Sequence, residues 1–204
     1  MVREHLTELI NREPDLQVCG EAEDRTGASQ VIATTRPHLA IVDLTLKGSH
    51  GMDLIKDLQA SHPRVKILVV SMQEASLYAE RVILAGARGY ITKQEATRKI
   101  MQAIRTVLAG EVYLSEQLTS QLLTRVVGQP RPATALSVAS LADRELQVFE
   151  KIGRGFGTRQ IAEQLHLDVK TIETYRSRIK EKLKLKDAAE LLQRAIAWVH
   201  SRAS

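Results

Sequence analysis

The chain has 204 residues, 44% of them apolar and 26% charged, with a formal net charge of +5. That length suits one large or two small domains, and a net charge of this size says little alone. A single cysteine, Cys19, excludes an intrachain disulfide, and with no secretory leader and no apolar run near about 18 residues a cytoplasmic chain without membrane contact is expected.

The front of the chain alternates β-rich apolar runs with amphipathic helical patterns. Strands are expected at Leu16–Gly20, Leu39–Val42, Ile67–Val70 and Gly89–Thr92. Helices are expected near Val2–Asn11, Ala28–Thr35, Met52–Ser61, Ala75–Ala85 and Ala96–Ala109. Buried strands separated by helices imply a parallel sheet covered on both faces, whose ligand chemistry collects at the carboxyl ends of the strands. Three residues stand at such ends: Asp43 after LAIV, Ser71 after ILVV and Lys93 after GYIT. An acid, a hydroxyl and an ammonium from neighbouring strands could serve phosphoryl transfer. The carboxylate would be the nucleophile, and the other two would hold the transferred oxygens.

Residues 116–127 look helical. Residues 128–140, GQPRPATALSVAS, have the prolines, glycine and small polar residues of a linker. The organisation expected is therefore a front domain over 1–112, a helix and linker over 113–140, and a second domain over 141–204.

Beyond the linker the charge becomes basic, with 13 Lys/Arg against 9 Asp/Glu in residues 141–204. Thr158 is expected to cap a short helix with an Ile161, Ala162, Leu165 stripe, and Asp168 to cap a longer one. On that longer helix Val169, Tyr175, Arg176, Ile179 and Leu183 fall within roughly 60° of Ile172 and form the packing face. Lys170, Glu173, Thr174, Ser177, Arg178 and Glu181 fall on the opposite side. A short helix, a tight turn and a longer basic helix make a helix-turn-helix, which lays its second helix in the major groove of double-stranded DNA. Lys and Arg would anchor phosphates, and short polar side chains would reach base edges.

These residues resemble two known families. Leu141-Ala142-Asp143-Arg144-Glu145, Gly155, Ile161 to Leu165, Lys170-Thr171-Ile172 with Tyr175, and Lys182-Leu183 resemble the helix-turn-helix of LuxR- and NarL-type regulators over about residues 141–200. The resemblance departs at Ala142, Asp168 and Tyr175. It implies DNA contacts from Thr158, Lys170, Thr171, Glu173, Thr174, Ser177, Arg178 and Lys182, and a dimer contact from a fourth helix over about Asp187–Val199. Ala40-Ile41-Val42-Asp43-Leu44, Gly51-Met52-Asp53, Ser71, Ala85-Gly86-Ala87-Arg88-Gly89-Tyr90 and Lys93 resemble the receiver domain of two-component response regulators. The implied roles are phospho-acceptor for Asp43, phosphoryl-stabilising groups for Ser71 and Lys93, and a switch aromatic for Tyr90. Together the two halves look like a NarL-type response regulator. It would be a DNA-binding transcription factor rather than an enzyme, served by a sensor histidine kinase and acting as a homodimer.

The front resemblance has one departure. Receiver domains begin with a strand ending in two acidic residues that help hold Mg2+. This sequence starts on the helix that follows, so the expected fold is a flavodoxin-like receiver lacking its first, internal strand, then an all-α domain. Glu4 and Glu8 lie on the helix and are poor substitutes, which leaves Asp43 as a weakened Mg2+ ligand. Three readings stay open: a start lying upstream, a sheet that closes up or borrows a strand, or a receiver that only dimerises while DNA binding proceeds without phosphorylation. The glycines at 153, 155 and 157 read as a helix stop rather than a phosphate loop. His5, His38, His50, His62, His166 and His200 read as ordinary loop or surface residues.

Overall fold

The computed structural model describes residues 2–46, 49–72, 75–116, 118–120 and 138–203. They fall into two compact units, Met1–Gly128 and Gln129–Ser204.

The first unit is built on three parallel strands, β1 (Leu39–Val42), β4 (Lys66–Ser71) and β5 (Gly89–Thr92), in the order β1-β4-β5. Val42 stands in register with Val69, Tyr90 also with Val69, and Thr92 with Ser71. These correspond to the last three of the four strands expected. A two-residue hairpin, β2 (Thr45–Leu46) and β3 (Ser49–His50), follows β1 and was not expected.

Helices α1 (Val2–Asn11), α2 (Arg25–Thr35), α3 (Gly51–Ser61), α4 (Ala75–Leu84) and α5 (Lys93–Ala109) complete the unit. Because strand side chains alternate, Leu68, Val70 and Ile91 face one way. They form a core with Ile10 of α1 and Ile100, Ala103, Ile104 and Val107 of α5. Met52, Ile55, Leu58, Tyr78 and Val82 of α3 and α4 are buried as well.

Local capping sets several helix starts ahead of expectation. Asp24 accepts from Gly27 N at 2.8 Å, so α2 begins at Arg25 rather than Ala28. Thr92 and Glu95 form a capping box, so α5 begins at Lys93 rather than Ala96. Lys93 is thus a first-turn helix residue and not the end of a strand.

The expected strand at Leu16–Gly20 is not one. The segment is irregular, and among the described residues no strand pairs with it. A β-rich pattern becomes a strand only beside a ladder partner. Side chains hold the segment instead. Asn11 Oδ1 accepts from Val18 N at 2.8 Å, and Leu16 and Val18 pack against the α1–α5 core. Arg105 bridges Asp15 at 2.6 Å and Glu13 at 2.7 Å, while Arg3 reaches Glu21 at 2.8 Å.

Beyond α5, residue 113 makes a parallel bridge to Gly89 at the outer edge of β5, and Tyr113 O accepts from Tyr90 N at 3.0 Å. Of the helix expected over 116–127, residues 116 and 118–120 are helical. The rest of it, and the expected linker through residue 137, lie outside the described residues. The last expected linker residues, Val138–Ser140, form a 3-10 turn.

Among its described residues the second unit is all helical: α6 (Asp143–Gly153), α7 (Thr158–Leu165), α8 (Val169–Leu183) and α9 (Ala188–Ala203). Its core gathers Leu146, Phe149, Ile161, Leu165, Ile172, Ile179, Leu191 and Ala195. The Phe149 and Trp198 rings meet in a tilted contact, 5.5 Å between centroids and 60° between planes. Helices α6 and α9 touch backbone to backbone at Gly153, where an added Cβ would stand 2.4 Å from Ala195 O and 2.7 Å from a Val199 methyl. Gly153→Ala must therefore push α9 away. It should cost about 1–3 kcal/mol, read in the full chain as a drop of roughly 4–8 °C per kcal/mol in the melting transition of this unit. An unchanged midpoint would show that the two helices have slack.

Candidate functional site

The first site sits at the carboxyl end of the sheet. Asp43 follows β1, Ser71 ends the central strand β4, and Lys93 opens α5 directly after β5. Lys93 Nζ pairs with Asp43 Oδ2 at 2.5 Å, with the two side chains 22% and 28% exposed. The other carboxylate oxygen, Oδ1, accepts from Thr45 N at 3.0 Å. Both oxygens of Asp43 are therefore oriented, one by a backbone amide and one by an ammonium, while the group keeps a path to solvent.

Ser71 is fully buried, in register with Thr92 beside Lys93. Tyr90 is 1% exposed, so its ring is packed into the unit. The acid and the ammonium proposed from sequence are in contact, and the hydroxyl lies at the end of the strand between them.

The loop after Asp43 returns tightly. Gly51 N donates to Leu44 O at 3.0 Å, and a Cβ on Gly51 would lie 2.1 Å from Asp43 O, so only glycine fits there. Next to it His50 is 1% exposed, and its Nδ1 accepts from Met52 N at 3.0 Å to cap α3. The expectation of an ordinary loop or surface histidine is thus wrong for His50. Nothing in the local sequence shows that the His50 side chain turns inward.

Receiver domains generally bind Mg2+ near the acceptor. Among the described residues no group of three or more His, Cys, Asp or Glu side chains is placed to hold a metal. One carboxylate already facing an ammonium does not match the several oxygen ligands of Mg2+. The residues at hand do not fit the ion.

The second site is the face of α8. Lys170, Glu173, Thr174, Ser177, Arg178 and Glu181 are all exposed, while Ile172, Ile179 and Leu183 are buried, so the face and its opposite fall where the periodicity put them. Val169 is the exception, 40% exposed although it was assigned to the packing face. It occupies the first turn, where the helix has not yet reached its neighbours.

Asp168 caps α8, accepting from Thr171 N and Thr171 Oγ1, both at 2.7 Å. The Thr171 hydroxyl and amide hold its carboxyl below the usual range. Thr171 is thereby half-buried and committed to the cap. Thr174 Oγ1 donates to Lys170 O at 3.0 Å and so presents an acceptor and a methyl group outward. Thr158 is the first residue of α7 and not its cap. Gly157 takes the cap position, and Gln160 reaches back to accept from its N at 2.9 Å.

Lys182, assigned from sequence to DNA, has a partner inside the unit. Its Nζ lies 2.7 Å from Glu145 Oε2, with Glu145 4% and Lys182 41% exposed. The same oxygen accepts from Ala142 N at 2.8 Å. The acid of the Leu-Ala-Asp-Arg-Glu segment thus ties the start of α6 to the end of α8. Sequence offered both residues but no sign that they meet.

A receiver-type sheet with its paired acid and lysine, followed by a helix-turn-helix, defines a response regulator. The model of the response regulator receiver domain matches residues 1–105, and that of the bacterial regulatory proteins of the luxR family matches residues 139–195. The chain belongs to the LuxR-type response regulators. The oxygen regulatory protein NreC of Staphylococcus epidermidis is 33% identical over 201 residues, covering 96% of this chain and 92% of its own. A two-component response regulator of the LuxR family from Aurantimonas sp. SI85-9A1 is 32% identical, covering 62% of this chain and 90% of its own, with a TM-score of 0.57. RcsB from Salmonella enterica serovar Typhimurium, solved bound to the promoter rprA with the phosphomimetic BeF3-, shares the fold at 23% identity and a TM-score of 0.58, covering 93% and 90%.

Removing Lys182 leaves the shielded Glu145 carboxylate without its cation. Lys182→Ala should destabilise the second unit by about 1–3 kcal/mol, between the ranges for exposed and buried pairs. Denaturant unfolding measures it, and Glu145→Gln combined with Lys182→Met should recover most of the loss. Additive losses in the double variant would mean the two side chains act independently.

Proposed function

We propose that this chain is a transcriptional regulator that accepts a phosphoryl group on Asp43 from a sensor histidine kinase in the cytoplasm and, as a dimer, binds paired DNA half-sites through α8. The observation that carries the reading is the Asp43 carboxylate held between Thr45 N and Lys93 Nζ beside Ser71. A held carboxylate oxygen attacks phosphorus and the new O–P bond forms. The P–N bond of a phosphohistidine breaks, its electron pair leaving with the imidazole, which takes a proton from solvent. The Lys93 ammonium and the Ser71 hydroxyl would receive the transferred oxygens. On the DNA side Lys170 and Arg178 would contact phosphates, with Glu173, Thr174 and Ser177 toward base edges. Thr158 at the start of α7 would make a DNA-backbone contact, and Thr171 would support the face through the Asp168 cap. The exposed Leu192 and Ile196 of α9 give a dimer an apolar contact. Mg2+ assistance belongs to this reading only if further acidic ligands join Asp43.

The lone carboxylate favours a second reading, in which the front unit dimerises and DNA binding needs no phosphorylation. Intact mass after incubation with acetyl phosphate, with and without Mg2+, separates the two. A phosphoryl adduct on the wild type that is lost in Asp43→Asn, and that tightens DNA binding, supports the switch. DNA binding equal in the wild type and Asp43→Asn, with no adduct, selects the second reading.

For the DNA face, Lys170→Ala or Arg178→Ala should weaken binding to all sequences and lower the salt slope by about 1. Glu173→Ala should alter sequence preference instead. Uniform weakening from the Glu173 change, measured on a panel of duplexes, would remove it from base reading.

A further inference from the structure

A buried side chain fastens the hairpin after Asp43. Thr45, whose amide holds Asp43 Oδ1, is in register with His50 across the hairpin. His50 is buried and its Nδ1 accepts the Met52 amide at 3.0 Å, joining the return strand to the first turn of α3. Gly51, between them, lies against the Asp43 carbonyl. An Nδ1 that accepts is an unprotonated nitrogen, so the imidazole is neutral with its proton on Nε2. The two-residue strands themselves are too short to be stable without such an anchor.

We propose that His50 is a positioning residue for Asp43: its neutral imidazole pins β3 to α3, and the hairpin so held presents the Thr45 amide to the carboxylate. His50 has no contact with the phosphoryl group in this role. It acts by keeping one oxygen of the nucleophile bonded and aimed. The assignment rests on Asp43 as the acceptor for its functional meaning, but its structural content stands apart from that. The requirement is an acceptor at the helix cap, which asparagine meets and leucine does not.

The test uses the full chain with His50→Leu and His50→Asn. NMR reads the Thr45 amide exchange, the Asp43 carboxyl shift and the His50 ring nitrogens. Acetyl phosphate with Mg2+ gives the initial rate of adduct formation. His50→Leu should speed Thr45 exchange by about tenfold and displace the Asp43 shift, and His50→Asn should restore both. The adduct rate should fall by about tenfold or more in the leucine variant and recover in the asparagine variant.

A wild-type ring protonated on Nδ1, or wild-type Thr45 exchange in a folded His50→Leu, overturns the proposal. So does a folded His50→Asn that behaves like the leucine variant. If His50→Leu does not fold, His50→Ala, which also lacks a cap acceptor, takes its place beside His50→Asn. If the wild type takes no adduct, the acceptor reading of Asp43 fails, while the exchange and shift data still decide the role of His50.

Discussion

The Lys93–Asp43 ion pair spans the end of the sheet. Asp43 follows one outer strand, Lys93 follows the other, and β4 runs between them. Neighbouring strands lie ~4.8 Å apart, so the two outer strands are separated by roughly 10 Å. Among ordinary cationic side chains only lysine and arginine reach that far, and the capping box that starts α5 directly at Lys93 sets where the lysine begins its reach. Ser71, fully buried, ends the central strand between the outer two. The chemistry of the site is therefore a consequence of strand order: acid and ammonium on the flanks, hydroxyl in the middle.

Much of this was legible in the sequence because it is local. Three apolar runs of β-formers each end in a polar residue, and their alternation with helices implies a parallel sheet. Leu16–Gly20 was misread for a reason that local pattern cannot supply. Its alternation fits a strand, but a strand also needs a neighbour with free hydrogen-bonding groups. Here Arg105, some 90 positions away, and Asn11 do the holding that a ladder would have done. The β2–β3 hairpin escaped notice for the opposite reason, since two-residue strands leave almost no periodic signal.

The second unit shows the same division. The helical period placed the faces of α8 correctly, because 3.6-residue geometry is a property of the helix alone. Caps were less certain. Asp168 caps as its chemistry suggests, while Thr158 lost the cap to Gly157 because Gln160 supplies the reaching side chain. Glu145 and Lys182 are 37 positions apart, and only the fold says that they meet. Charge counted along the sequence therefore overstates what α8 offers to a polyanion, since one of its cations already neutralises a shielded acid.

That neutralisation also bears on how the face of α8 is built. A helix that exposes several cations on one face carries self-repulsion, and its register against the domain has to be held by something other than those exposed cations. The carboxylate of Glu145 does this at one end, taking both the Ala142 amide and the Lys182 ammonium. Asp168 does it at the other, with the Thr171 amide and hydroxyl. Each acid sits where the local field favours it: Asp168 at the positive end of the helix dipole, Glu145 beside a lysine in the last turn. Between these two fixed ends Lys170, Glu173, Thr174, Ser177 and Arg178 remain exposed on one face. The acids of this unit thus fix the two ends of α8, and with them the register at which its exposed cations are shown.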